Sequence, residues 1–99
     1  MTFVSVLRLV PRAGRAADFE RTFVELRVFE HSRRSGGFLG GRLLRPLADG
    51  EPFVVVAEWE SSEAYQGWLD NPVRAELGER LEPLLEDDVA SGQLYEEVR

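Results

Sequence analysis

Four residues of this chain have side chains suited to chemistry at a hydrophobic site: Trp68, Tyr65, Arg8 and the single histidine, His31. Tyr65 stands three positions before Trp68, so on a helix the two rings share a face and can wall a pocket for a planar ligand. The Tyr65 hydroxyl adds a group able to meet a substrate oxygen. Arg8 interrupts an apolar run, where a guanidinium suits a phenolate or carboxylate. His31 has the intrinsic acidity of a general base. Each also has a plainer reading. Trp68 anchors a helix to a sheet, and Tyr65 is an amphipathic edge residue. Arg8 pairs with Glu58, with Glu96 or with a partner subunit. His31 sits with Arg33 and Arg34 at a helix C-terminus, where cations are favoured. Trp59 reads as core or dimer packing, Arg42 shares the ambiguity of Arg8, and Arg74 lies either at a pocket mouth or on the surface.

Composition removes several classes of function. The 99 residues are enough for one domain, residues 1–99, with a modest core. Eighteen acidic against twelve basic residues give a net charge of −6, which argues against nucleic acid and anionic membrane surfaces as partners. With no cysteine, disulfides, thiolate nucleophiles and thiolate-bound metals are excluded. The acidic residues cluster as adjacent runs, Glu86-Asp87-Asp88 and Glu96-Glu97, without the spacing of a ligand set, so no metal is expected. No glycine run has the spacing of a phosphate loop. No apolar stretch approaches a membrane span, and the start, MTFVSVLRLV, reads as a strand without the features of a signal peptide. A cytoplasmic location is the expectation.

The elements that must position these residues follow from periodicity. Thr2 to Val10 is a strand apolar on both faces, with Phe3, Leu7 and Leu9 on one and Val4, Val6 and Val10 on the other. After a turn over Pro11 to Gly14, a helix is expected from about Arg15 to Ser32, with Phe19, Phe23, Leu26 and Phe29 as its packing stripe. Ser35-Gly36-Gly37 ends it. Phe38 to Arg45 is a second strand in which Gly40-Gly41 permits a bulge or close approach. Pro46 to Gly50 is a hairpin-like connection to a third strand, Phe53 to Glu60. Ser61 or Ser62 caps a second helix, which Asn71-Pro72 breaks. A further helix runs from about Val73 to Leu85, and Gln93 to Val98 is the last strand.

The order β-α-β-β-α-β is the split βαβ of the ferredoxin-like α+β class, with an antiparallel sheet. One layer of helices covers one face of such a sheet. The other face is still apolar in strands one and three, and a second copy of the chain would bury it. A homodimer closing a dimeric α+β barrel is therefore expected.

The residues Gly37-Phe38-Leu39-Gly40, Leu43-Leu44-Arg45-Pro46, Val55, Trp59-Glu60-Ser61, Glu63-Ala64-Tyr65, Trp68 and Pro72 resemble the antibiotic biosynthesis monooxygenase domains of the dimeric α+β barrel superfamily. The resemblance covers essentially the whole chain and specifies fold better than chemistry. It embraces cofactor-independent oxygenases of aromatic polyketides, haem-degrading oxygenases and small quinol oxygenases. The haem-degrading branch implies a histidine nine or ten positions after the residue matching Trp68, where this chain has Leu77 and Gly78. It also implies an asparagine near the middle of strand one, where Val6 and Leu7 stand.

These departures set haem degradation aside at this level. The expectation is a cofactor-independent monooxygenase converting an anthrone or phenolic, polyketide-like substrate to a quinone with dioxygen, without metal or flavin. Trp68 and Tyr65 would shape its pocket, Arg8 would steady the anion, and His31 or the substrate would handle the proton. A non-catalytic dimeric protein binding a small aromatic or hydrophobic ligand, as an accessory to a pathway, is an alternative. A cyclase or isomerase is another.

Overall fold

The computed structural model describes residues 2–89 and 92–98. Strands β1 (Phe3–Leu9), β2 (Phe38–Leu44), β3 (Phe53–Trp59) and β4 (Gln93–Glu96) form one antiparallel sheet in the order β2-β3-β1-β4. Helices α1 (Ala16–Glu25), α2 (Val28–Ser35), α3 (Ser62–Leu69) and α4 (Pro72–Leu81) complete the ferredoxin-like arrangement. A short 3-10 turn, Glu82–Leu84, extends α4.

The pleat sorts the sheet into two faces. Ser5, Leu9, Phe53, Ala57 and Trp59 are buried against the helices. Phe19 and Phe23 of α1 meet Phe53 and Leu9 in one core cluster, and Trp59 joins Tyr65, Trp68 and Leu77 in the other. The two tryptophans thus converge in a single cluster. Trp59 is 1% exposed on the helix side, so it packs the core and not a dimer seam. On the opposite face Val4, Val6, Val54 and Val56 are only half-buried. Register places Val6 beside Val56, with Arg8 beside Val54 and Arg42 beside Val56. An apolar centre ringed by charge is thus left uncovered by the chain's own helices.

Two local features depart from periodicity alone. The expected helix from Arg15 to Ser32 is two helices, because Arg27 adopts the left-handed conformation, φ 53° and ψ 48°. The turn redirects the chain so that Phe29 stacks on Phe38 of β2 while Phe23 meets its edge. Burial of those rings outweighs the roughly 1–2 kcal/mol that a left-handed residue with a side chain costs. The bulge anticipated at Gly40-Gly41 occurs between Phe38 and Gly40.

The second break is where the sequence places it. Asn71 ends the α3 segment and caps α4, its side-chain oxygen accepting from the Val73 amide at 3.0 Å, with Pro72 in the first turn of the new helix. Ser61 caps α3 by accepting from the Ala64 amide. The close joint between β2 and α3 requires Gly37, which has φ 73° and whose missing Cβ would overlap Ala64 Cβ.

Candidate functional site

Between the helix-side face of the sheet and α2, α3 and α4 lies a cavity of about 70 Å³. The sheet contributes Ser5, Leu7, Val55 and Trp59, α2 contributes Val28, Phe29 and Ser32, α3 contributes Tyr65 and Trp68, and α4 contributes Arg74, Leu77 and Gly78. Helical spacing explains the α3 pair: Tyr65 and Trp68 lie one turn apart on one face, each 7% exposed. The Trp59 and Tyr65 rings are 5.6 Å apart, which carries the aromatic wall from helix to sheet.

The polar groups at this wall are satisfied. Trp59 Nε1 donates to Ser5 Oγ at 3.0 Å, Gly92 N–H donates to Tyr65 Oη at 3.0 Å, and Ser32 Oγ donates to the Val28 carbonyl at 3.0 Å. Burial pushes the Tyr65 phenol above its ordinary 10.0, opposed by the Gly92 bond and by the charge of Arg74. At neutral pH it is therefore a neutral O–H donor. Burial also lowers the pKa of Arg74, opposed by Tyr65. The guanidinium remains a cation at the cavity wall.

Of the four residues singled out from sequence, Trp68 and Tyr65 meet at this cavity and the other two lie elsewhere. Arg8 is exposed on the opposite face of the sheet, beside Val54. It therefore faces away from the cavity and cannot steady an anion inside it. His31 lies within α2, away from the cavity lining. Arg74 belongs to the wall and Arg42 to the open sheet face. Ser5 is a site residue that sequence reasoning does not single out. The available signal is its phase: it shares a strand face with Phe3, Leu7 and Leu9, and a hydroxyl on a buried face must have a partner.

The fold and cavity define a ferredoxin-like α+β domain with an apolar site between sheet and helices. Residues 2–86 match the family model for antibiotic biosynthesis monooxygenase, and the chain belongs to that family. Among its relatives is the heme oxygenase (mycobilin-producing) of Mycobacterium tuberculosis, 36% identical over 86 residues, which are 85% of this chain and 79% of the relative. The structure of a heme-degrading protein from M. tuberculosis, heme free, is 31% identical with a TM-score of 0.70, covering 100% of this chain and 96% of that one. SnoaB, a cofactor-independent oxygenase from Streptomyces nogalater, has a TM-score of 0.78 at 22% identity, covering 99% and 94% of the two chains. That last likeness is one of fold. An oxidoreductase-type role is common to these relatives. No helix among the described residues is long and apolar enough to cross a membrane.

These findings correct the functional expectation. Cofactor-independent oxidation of a polyketide-like aromatic, with haem degradation set aside and accessory or cyclase roles as alternatives, is overturned by the haem-oxygenase relative and the haem-degrading structure. The similarity extends over 86 residues despite the departures at Val6 and Leu77.

The cavity itself does not accommodate a histidine-ligated haem. Leu77, where the resemblance implies the imidazole, is 9% exposed in the wall, and no histidine, cysteine or methionine lines the cavity among the described residues. Its 70 Å³ also falls short of the roughly 300–1,000 Å³ of pockets that enclose organic ligands.

Proposed function

We propose that this chain is an oxygenase whose substrate is haem, bound without an imidazole from α4. The observation that carries the reading is the 36% identity to a mycobacterial haem oxygenase over 86 residues. The chemistry of the cavity's lining supports it, though the closed volume does not admit haem: Trp68 and Tyr65 offer aromatic surface for a flat conjugated ring, and Leu7, Val28, Phe29 and Leu77 are apolar. Arg74 supplies positive charge at the wall, suited to the carboxylates at a haem edge. Haem supplies the iron at which dioxygen is activated, and the chain's part is to bind, orient and dry it. Admission of the macrocycle requires the wall formed by α2 and α4 to part. The helix break at Leu26-Arg27 is where α2 is joined to α1.

The working unit in this reading is a homodimer formed by the open sheet face. Its support is the half-buried cluster of Val4, Val6, Val54 and Val56, together with a family fold that closes its barrel on dimerisation.

The test is a haemin titration followed by its principal absorption band. Dioxygen and ascorbate are then added, released iron is captured by a chelator, and the tetrapyrrole product is weighed. Saturable binding and reductant-dependent loss of the band with release of iron support the reading. Haemin that behaves as it does in buffer, with no saturation and no product, overturns it.

A further inference from the structure

Helix α2 is fastened to the fold differently from the other three helices. The Glu20–Arg45 pair ties α1 to the end of β2, and the Gly92 amide ties Tyr65 of α3 to the start of β4. The turn that ends α4 is tied to the end of β1, where the amides of Arg12 and Glu86 donate to the Leu84 and Val10 carbonyls at 2.8 and 2.9 Å. Among the described residues, no hydrogen bond or ion pair joins Val28–Ser35 to another strand or helix of the fold. The buried residue of α2, Ser32, satisfies its hydroxyl within the helix, on the Val28 carbonyl. What holds α2 down is apolar contact from half-buried Val28 and Phe29. The Phe29 ring lies against Phe23 and Phe38, and beneath it is the bare backbone of Gly41, which offers no side chain to interlock.

Both ends of α2 are joints. Arg27 in the left-handed conformation separates it from α1, and at the other end Gly36 and Gly37 have φ of 101° and 73°. No atom lies within 4 Å of where a Cβ on Gly36 would stand, so the backbone there turns without collision. Beyond the joints the chain is fixed. Phe19 and Phe23 of α1 are buried, and the Gly37 carbonyl accepts from the Glu60 amide at 2.8 Å. A helix turned as a unit keeps its own backbone bonds, so moving α2 gives up methyl and ring contacts alone. We propose that α2 is a lid on the cavity, hinged at Arg27 and at Gly36-Gly37. Its swing withdraws Val28, Phe29 and Ser32 from the cavity lining, while α3 and α4 stay with the sheet, and it opens the 70 Å³ enclosure to a ligand larger than itself. The functional reading requires a wall to part, and the lid names the wall and its hinges. It stands on this geometry for any ligand and is independent of haem.

The chain has no cysteine, so a single introduced thiol reports on its own position. Ser32→Cys places one on the inner face of the lid, Ala57→Cys on the sheet beneath the cavity, and Leu85→Cys in the core away from it, at sites 2%, 5% and 2% exposed. Each full-length variant, without haem, is reacted with a disulfide reagent across a range of low urea concentrations. Ser32→Cys and Ala57→Cys are expected to react at least about 10-fold faster than Leu85→Cys, at rates nearly independent of urea, because swinging one helix exposes little surface. Adding Phe29→Ala removes the ring that holds the lid. It is expected to speed the first two thiols by about 10- to 100-fold, and Leu85→Cys only by the change in global stability, which urea unfolding measures separately. Three thiols that react at one rate, with the urea dependence of global unfolding, overturn the proposal. So does a Phe29→Ala that speeds all three equally. Should Ser32→Cys fail to fold, Ala57→Cys with and without Phe29→Ala decides alone. No haem enters the assay, so failure to bind or degrade haem leaves this result unaffected.

Discussion

Gly41 and Phe29 are packed so closely that a Cβ on Gly41 would stand 2.6 Å from Phe29 Cε1. The ring has little room to yield, since it is stacked on Phe38 at 5.9 Å and edge-on to Phe23 at 5.6 Å. This contact sets how near α2 lies to β2, and so closes one side of the cavity. Gly41→Ala is expected to destabilise the fold by about 1–3 kcal/mol, the usual cost of overpacking. Urea unfolding checks it, with Gly40→Ala as the control because its Cβ meets nothing within 4 Å.

Arg27→Gly tests the helix break. In an uninterrupted helix, glycine at this position would cost roughly 1 kcal/mol. At φ 53° it instead relieves a left-handed side chain, and the expected outcome is a gain of about 1 kcal/mol. A loss of stability on denaturant unfolding would mean that the 15–32 segment is one continuous helix.

Leu77→His places an imidazole at the cavity wall, where the resemblance implies one. If haem occupies this site, the variant is expected to bind haemin more tightly and with a changed absorption spectrum, since nitrogen coordination is added to ring burial. An identical spectrum in native and variant proteins would place haem elsewhere. The comparison also separates the contribution of the wall from that of the ligand.

Val56→Asp introduces charge at the centre of the open sheet face, beside Val6. The expected outcome is a solution mass that falls from twice 11.2 kDa toward one chain, with secondary structure retained because Val56 faces away from the helices. Light scattering at micromolar concentration checks it. A native protein that is itself a monomer would remove the dimer from the functional reading.

The Glu20–Arg45 pair ties α1 to the end of β2 through two hydrogen bonds, of 2.5 and 2.8 Å. The Arg45 bond holds the Glu20 carboxyl below its ordinary 4.5, and the same bond raises the Arg45 pKa. A lowered carboxyl pKa contributes stability above pH 4.5 that is lost as pH falls through the folded value. The pair is exposed, so the effect is small and screened by salt. Glu20→Gln is expected to lower Tm slightly at neutral pH and low salt, with the difference from the native protein closing below pH 4.5.

The chain's local order is written in its sequence because helix and strand periods, caps and breakers act between near neighbours. The alternation in β1 and β3, a serine cap at Ser61 or Ser62 and the Asn71-Pro72 break were all legible, and together they imply the split βαβ order; the structure chose Ser61. The Trp68–Tyr65 pairing was legible for the same reason, since both lie on one helix face. Arg8 could not be assigned to a side of the barrel, because alternation separates the two faces of a strand without saying which one the helices cover. The conformation of Arg27 was hidden too, because it is imposed by Phe29 meeting Phe38 and Gly41, residues distant in sequence. Ser5 gained its role only when β1 and β3 came into register and brought the indole N–H of Trp59 to its hydroxyl. Sequence alone determined the strands, the break between α3 and α4 and the family fold, but not the break between α1 and α2. Tertiary packing decided which polar groups share the cavity, because a side chain's hydrogen-bond partner is settled by the strands and helices laid beside it.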